Sequence, residues 1–123
     1  MPRNISFAMT TEQIRNRAKT VTRRKGWKSL RPGDVLNACV KCMGLKPGEK
    51  IERLGQIVVV DVRLERLSIM STDRMYGKRD AAREGFPELT GNQFVAMFLK
   101  HMGGDVDQIV TRIQFDYLDG GPG

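Results

Sequence analysis

Hydrophobic and polar residues alternate along five segments of the chain, and this pattern predicts five β-strands. Apolar or β-branched side chains recur there at every second position, in residues 5–9, 19–25, 35–42, 56–67 and 109–118. Apolar side chains spaced three to four residues apart predict two helices, one from about residue 11 to residue 18 and one over residues 90–102. Gly103 and Gly104 follow the second helix and are typical of a helix end.

The segment at residues 56–67 carries the strongest strand signal. Residues 57–60 are Ile-Val-Val-Val, as in a strand that is covered on both faces. We therefore expect this strand to be central in the sheet and Val60 to belong to the core. By contrast, residues 71–80 are polar and read as irregular, and only residues 80–84 are expected to form a helical turn, which Gly85 ends.

The predicted elements follow the order β, α, β, β, β, α, β. Strands dominate, and most of them are neighbours in sequence. This order favours an α+β fold, a small mixed or antiparallel β-barrel flanked by two or three helices. A chain of 123 residues is expected to form a single domain, residues 1–123, with its core at about residues 5–118.

Positive charge is concentrated in the first quarter of the chain. The net charge is +7, yet residues 1–31 hold nine of the 21 lysines and arginines and one of the 14 acids, Glu12. Such a local excess is typical of a protein with an anionic partner, most often a nucleic acid and less often a membrane surface. The alternative is that folding spreads these side chains over several faces of the surface.

The cations are densest in residues 19–27, which read Lys-Thr-Val-Thr-Arg-Arg-Lys-Gly-Trp. If this segment is a strand, Lys19 and Arg23 point to one side and Thr22 and Arg24 to the other. If it is a loop, Lys19, Thr22 and Arg24 can converge. Either arrangement gathers hydroxyl groups and cations in a small space, which suits a phosphate, a carboxylate or a polarised carbonyl.

Three short motifs carry a resemblance to a known family. The first is the basic segment, where the pattern Gly-x-Lys-x-x-x-x-Arg is matched at Lys19 and Arg24, with Arg17 in place of the glycine. The second is Pro-Gly-Asp at residues 32–34, before a predicted strand, and the third is Arg-Glu-Gly-Phe at residues 83–86. In this order the motifs resemble the ASCH domain, a PUA-like barrel, and the resemblance covers most of the chain.

The resemblance implies a role connected with nucleic acids, because ASCH domains are similar to RNA-binding PUA domains. We therefore expect a basic cleft that binds RNA, another single-stranded nucleic acid or a nucleotide. The side chains expected to contact this partner are Arg17, Lys19, Arg23, Arg24, Lys25, Trp27 and Arg83.

The resemblance also implies an alternative, because some ASCH proteins look like small hydrolases. These are ribonucleases or amidohydrolases that act on N4-acetylcytidine-like nucleosides, and the matching catalytic positions here are Lys19, Thr22 and Glu84. The residue types suit the task, since a lysine whose pKa is lowered can activate a threonine hydroxyl and a glutamate can hold the lysine or carry a proton. The competing interpretation is a structural Lys–Glu pair, with Thr22 an ordinary strand residue.

Two further features bear on function. Trp27 can stack on a base or fill a gap in the core. Cys39 and Cys42 have a spacing seen in metal sites, but no second cysteine pair exists and His101 is the only histidine, so no metal and no cofactor are expected.

The chain has no apolar run of membrane-spanning length and no apolar block at its start. A cytoplasmic protein without a membrane partner is therefore expected. Three classes of function remain open at this point, namely a nucleic-acid-binding module, a small hydrolase, and an adaptor whose basic face binds an acidic protein.

Overall fold

The computed structural model describes residues 2–42 and 44–118, and in them it has five strands and four α-helices. The strands are β1 (Arg3–Ser6), β2 (Val21–Arg24), β3 (Val35–Cys39), β4 (Arg53–Arg66) and β5 (Ile109–Tyr117). The helices are α1 (Thr11–Arg15), α2 (Ile69–Thr72), α3 (Arg74–Arg83) and α4 (Gly91–Met102), and a short 3₁₀ helix (Ala8–Thr10) precedes α1. Residues 1, 43 and 119–123 of the predicted domain lie outside the described range. No helix within that range is long and apolar enough to cross a membrane.

The strands form one mixed sheet in the order β1-β3-β4-β5-β2. β1 pairs with β3 in parallel, and the remaining neighbours are antiparallel. The sheet curls into a half-barrel, with the helices packed beside it. The α+β class and the mixed sheet are confirmed, whereas the count of two or three helices is too low.

Strand β4 is central in the sheet, as its sequence predicts, but Val60 is not part of the core. Ile57 and Val59 are 1% and 2% exposed, whereas Val60 is 41% exposed. The pairing with β5 jumps from Val59 to Asp61, so Val60 is the extra residue of a β-bulge. The four apolar residues in a row conceal this interruption, because a bulge breaks the alternation of faces.

Truncation of two neighbouring valines tests this arrangement. Val59→Ala should lower the free energy of unfolding by about 2 kcal/mol, because it leaves a cavity in the core. Val60→Ala removes the same atoms from an exposed position and should cost less than about 1 kcal/mol. Urea denaturation of both variants measures the difference, and equal losses would contradict the placement of the bulge.

Residues 71–80 are helical rather than irregular, which corrects the prediction for this segment. The carboxylate of Asp73 accepts a hydrogen bond from the backbone N–H of Tyr76 at 3.1 Å and caps α3. The buried residues of α3 are Gly77, Asp80 and Ala81, so its inner face is small and polar and lacks the usual apolar spacing. A Cβ on Gly77 would lie 1.9 Å from the Met70 carbonyl oxygen, so only glycine permits α3 to pack this closely on α2.

Two hydrophobic clusters hold the fold together. The first lies inside the curled sheet and includes Ile5, Phe7, Ile57, Val59 and Phe115. The second lies among the helices and the far end of the sheet and includes Leu67, Met70, Phe94, Phe98 and Val110. Side chains from both clusters line one cavity, and the polar residues described next lie at its wall.

Candidate active site

The backbone around Lys19 is held on three sides. Its N–H donates to the carbonyl oxygen of Gln13 at 3.2 Å, and its own carbonyl accepts a hydrogen bond from the Tyr117 hydroxyl at 2.6 Å. The next residue, Thr20, donates its N–H to Arg83 and accepts from the N–H of Phe115. The Lys19 side chain is therefore fixed in direction by α1, α3 and β5 together.

Arg17, which stands where the pattern Gly-x-Lys-x-x-x-x-Arg has glycine, adopts a backbone conformation typical of glycine. Its φ angle is +61°, in the left-handed region that glycine adopts without strain. The guanidinium lies 5.1 Å from the centre of the Tyr117 ring, so the arginine here contacts the same side chain that holds Lys19. The chain thus forms a left-handed turn here without a glycine.

The Lys19 side chain is buried and points at Glu84. The lysine is 3% exposed, and its Nζ donates to Glu84 Oε1 at 2.7 Å and to the Glu84 backbone oxygen at 2.8 Å. A neutral amine has two N–H bonds and one lone pair. Glu84 can therefore accept from both N–H bonds of a neutral Lys19 and leave the lone pair unengaged.

Glu84 reaches this position because α3 ends at it. The Phe86 N–H donates back to the Ala81 carbonyl at 2.9 Å, and Gly85 takes a φ of +100° to turn the chain. Thus the Arg-Glu-Gly-Phe motif is the end of a ten-residue helix rather than an isolated turn.

Arg23 links Glu84 to other carboxylates. Its Nη1 donates to Glu84 Oε2 at 3.0 Å, and its Nη2 donates to Glu65 Oε2 at 2.7 Å and also to Asp80 Oδ2. The same Nη2 lies 3.1 Å from the Tyr76 hydroxyl. Burial opposes the charge of this arginine, but the three carboxylates outweigh it and raise its pKa above the ordinary value.

Asp80 is the most enclosed member of this network. It is fully buried and accepts two hydrogen bonds from Arg112, at 2.8 and 2.9 Å, and one from Arg83 Nη1 at 3.1 Å, in addition to that from Arg23. Burial by itself would raise its pKa. The hydrogen bonds from Arg112 and the charge of Arg23 outweigh this effect and hold the pKa of Asp80 well below its usual range.

Thr22 is 3% exposed and accepts a hydrogen bond from Arg24 Nε at 3.0 Å. Arg24 Nη2 also donates to the Ser6 carbonyl oxygen at 2.6 Å, which connects β2 to β1 across the open side of the sheet. Within the described residues Thr22 is hydrogen-bonded to Arg24 and not to Lys19. Thr22 and Arg24 therefore contact each other, as their alternation on β2 predicts, while Lys19 precedes β2 and meets Arg23 at Glu84.

Lys19, Thr22 and Glu84 all line one cavity of about 230 Å³. Its other polar lining residues are Ser6, Thr10, Arg23, Arg24 and His101. The rest of the lining is apolar and is formed by Phe7, Ala8, Met9, Phe86, Phe94, Met97, Phe98 and Met102. The cavity therefore offers both charged and aromatic side chains to a small molecule.

Burial lowers the pKa of Lys19 below its ordinary value. The charge and the hydrogen bond of Glu84 oppose this shift, and the positive charges of Arg24 and Arg23 add to it. A buried lysine with a lowered pKa is a candidate for a general base, because a larger fraction of it is neutral near pH 7 than of a free lysine.

The remaining residues predicted to bind nucleic acid do not line the cavity. Trp27 is half-buried against the sheet core, and the Arg3 guanidinium lies 4.2 Å from the centre of its ring. Lys25 is exposed, and its Nζ donates to the Met102 backbone oxygen at 2.8 Å. The side chain of Arg83 is 47% exposed beside Asp80, and Arg17 lies over Tyr117.

Sequence reasoning missed two of the three carboxylates that surround Arg23, namely Glu65 and Asp80. Glu65 was given no role, and Asp80 was assigned to the start of a helical turn. The only available signal was the buried, small-residue face of α3 around Gly77 and Ala81. Their convergence depends on how α3 packs against β4 and β5, which no local pattern reports.

The two cysteines are free, with Cys39 buried and Cys42 half-buried. Burial raises the pKa of the Cys39 thiol to about 11, and the neighbouring Cys42 adds to the shift. The thiol is therefore protonated at neutral pH, whereas a metal ligand must be a thiolate. In the described part of the chain no group of three or more histidine, cysteine or acidic side chains is placed to hold a metal ion.

Comparison with known proteins gives a likeness of fold. The chain is similar to the solved structure of protein EF3133 from Enterococcus faecalis V583, which carries the family designation DUF984. The TM-score is 0.62 at 13% sequence identity, and the match covers 97% of this chain and 81% of that chain. No family model matches the chain, and no curated protein matches it. The likeness supports a small α+β domain with a curled sheet and carries no activity over to this chain.

Proposed function

We propose that this chain is an ASCH-type amidohydrolase that removes an acyl group from a modified nucleoside such as N4-acetylcytidine. The observation that carries the proposal is that Lys19, Thr22 and Glu84 line the same small cavity, with Lys19 buried and its pKa lowered. The binding-module alternative needs an open basic groove, and the arrangement favours a ligand of nucleoside size instead.

The chemistry follows from the positions of these groups. The Thr22 Oγ1 attacks the amide carbonyl carbon while neutral Lys19 accepts the hydroxyl proton, and Lys19 then gives that proton to the departing exocyclic amine. A water molecule hydrolyses the resulting ester, so the products are a carboxylic acid, the nucleoside and free Thr22. The Lys19–Thr22 hydrogen bond forms in this mechanism when substrate is bound, as catalytic hydrogen bonds often tighten in the complex.

In this mechanism Glu84 and Arg23 hold Lys19 in place and do not react with the substrate. Glu84 accepts the two N–H bonds of Lys19 and stabilises the ammonium that forms after proton transfer. Arg23 holds the second oxygen of that carboxylate, and it is held in turn by Glu65 and Asp80. A lysine that is fixed in this way loses little entropy when it reaches the transition state.

The nucleophile is tested by three threonine variants. Thr22→Ala should reduce hydrolysis of N4-acetylcytidine to background, and Thr22→Ser, which keeps the hydroxyl, should retain a measurable fraction. Thr20→Ala is the matched control, because Thr20 is two residues away and does not line the cavity. Release of cytidine, followed by chromatography, is the measurement. Full activity of Thr22→Ala, or no turnover by the unmodified protein, would reject the hydrolase.

A second candidate function is the binding of RNA or another single-stranded nucleic acid. It is supported by the exposed cations outside the cavity, Arg3, Lys25, Lys28 and Arg31, which belong to the basic first quarter of the chain. Arg23, in contrast, is buried and forms ion pairs with three carboxylates, so it does not contribute to an outer binding surface.

Salt dependence separates this candidate from the first. If the exposed cations neutralise several phosphates, the affinity for a single-stranded oligonucleotide should fall steeply and linearly on a log–log plot against salt concentration. Fluorescence anisotropy between low and physiological salt measures the slope. A flat response, or no binding at low salt, would remove the nucleic-acid-binding candidate and leave the hydrolase untouched.

A further inference from the structure

Arg24 differs from the other two cations of the cavity wall. Lys19 and Arg23 each form an ion pair with Glu84, whereas Arg24 forms none with a carboxylate in the described residues. Its partners there are neutral oxygens, the Thr22 hydroxyl and the Ser6 carbonyl. The cavity lining therefore contains a positive charge that no carboxylate of the described residues offsets at ion-pair distance.

The Arg24 guanidinium is also held rigidly and keeps donors for a ligand. Its Nε donates to Thr22, and one N–H of Nη2 donates to Ser6. The guanidinium carbon Cζ lies 4.9 Å from the centre of the Phe7 ring, so the ring supports one face of the guanidinium plane. Nη1 has no partner in the described residues. Since every buried side-chain nitrogen in that range has one, Nη1 must reach accessible space, and Arg24 lines the cavity.

We propose that the cavity binds an anionic small molecule, whose phosphate or carboxylate group pairs with Nη1 and the second N–H of Nη2 of Arg24. A planar guanidinium is well suited to such a two-point contact, because its donors match the spacing of two anionic oxygens. Resting on the proposed function, an acylated nucleotide or another acid-bearing amide is then a better substrate than a neutral nucleoside such as N4-acetylcytidine.

The position of Arg24 favours a small anion over a polymer. Arg24 forms part of the lining of a cavity of about 230 Å³, its guanidinium lies beside the Phe7 ring, and Phe94 also lines the cavity. A mononucleotide can place its base against such an apolar wall and its phosphate at Arg24. A purely structural Arg24, serving only to join β2 to β1, would make no distinction between charged and neutral ligands.

The test compares ligands that differ only in charge. Titration calorimetry should give a dissociation constant for cytidine 5′-monophosphate about 10-fold lower than for cytidine, as expected for a hydrogen-bonded charge pair. In Arg24→Gln the ratio of the two constants should fall to near 1. Arg79→Gln, which removes an exposed cation that lies outside the cavity and outside the basic first quarter of the chain, should leave the ratio unchanged. Inorganic phosphate and acetate, titrated separately, assign the group as phosphate or carboxylate.

A second measurement covers the case in which Arg24→Gln does not fold. The arginine Nε–Hε signal of Arg24 in the unmodified protein, assigned with Arg24→Lys, should shift in NMR spectra when cytidine 5′-monophosphate is added and not when cytidine is added. Equal affinities for the two ligands, or an affinity ratio that survives Arg24→Gln, would overturn the inference. If neither N4-acetylcytidine nor its 5′-monophosphate is hydrolysed while the ratio is intact, only the hydrolase fails. If hydrolysis occurs while the ratio is near 1, only this inference fails.

Discussion

Asp80→Asn should lower the free energy of unfolding by about 3–5 kcal/mol, because it leaves buried arginines without their carboxylate. Asp80 is fully buried and accepts hydrogen bonds from Arg23, Arg83 and Arg112. An amide would turn N–H donors towards guanidinium donors, and the positive charges would face one another unpaired. Asp116→Asn is the matched control, since this exposed carboxylate on β5 should cost no more than about 0.5 kcal/mol.

The pH dependence of stability gives this prediction a second readout. The pKa of Asp80 in the folded protein lies below its unfolded value of about 3.9. The stabilisation is therefore fully present above about pH 4 and is lost as the pH falls towards the folded value. Thermal unfolding from pH 6 down to pH 2 should show a shallower acid loss in Asp80→Asn than in the unmodified protein. Parallel curves would mean that Asp80 is not a main source of acid sensitivity.

Lys19→Arg should reduce hydrolysis of N4-acetylcytidine by about 10²- to 10⁴-fold, the usual contribution of a general base. An arginine keeps the positive charge and can still contact Glu84, but it does not give up its proton. In the nucleic-acid-binding alternative the same change should be nearly silent, because a phosphate accepts either cation. Lys28→Arg, at an exposed position outside the cavity, is the control and should keep full activity.

The pH profile identifies the base independently of the variant. Burial lowers the pKa of Lys19 in the folded protein, so turnover should rise with pH and level off below the ordinary lysine value of about 10.4. The contribution of Lys19 to stability also rises with pH. Because the lysine has a higher pKa in the unfolded chain, the free energy of unfolding increases as the pH rises from the folded pKa towards the unfolded pKa. A profile that is flat from pH 6 to pH 10 would exclude Lys19 as the base.

The strands and the last helix could be predicted from the sequence because their signals are local. Thr90 caps α4 through a capping box with Gln93, and Phe94 and Phe98 are buried, as the helical spacing indicates. Strand β4 lies at the centre of the sheet, as its run of apolar residues predicts. The bulge at Val60 could not be predicted, because an unbroken run of apolar residues does not indicate which of them is unpaired with β5.

The candidate site was predicted in part. The motif positions Lys19, Thr22 and Glu84 do line one cavity, although this placement does not test their roles. The basic segment, in contrast, was expected to face a partner as a group. Within it Arg23 is turned inward onto Glu65, Asp80 and Glu84, while Lys25 is exposed. Net charge is a property of composition, and it does not report which cations folding will pair.

The sequence by itself determined the α+β class and the positions of most strands. It also supplied the three candidate catalytic residues, Lys19 and Thr22 in the basic segment and Glu84 in the Arg-Glu-Gly-Phe motif. Only the tertiary structure decided that α3 is a helix, because its buried face consists of Gly77, Asp80 and Ala81 rather than large apolar residues. The tertiary structure likewise decided that, within the described residues, Arg23 pairs with carboxylates while its neighbour Arg24 does not. That outcome depends on contacts between residues far apart in the chain, such as Arg23 with Glu84, 61 positions away, which no local spacing encodes.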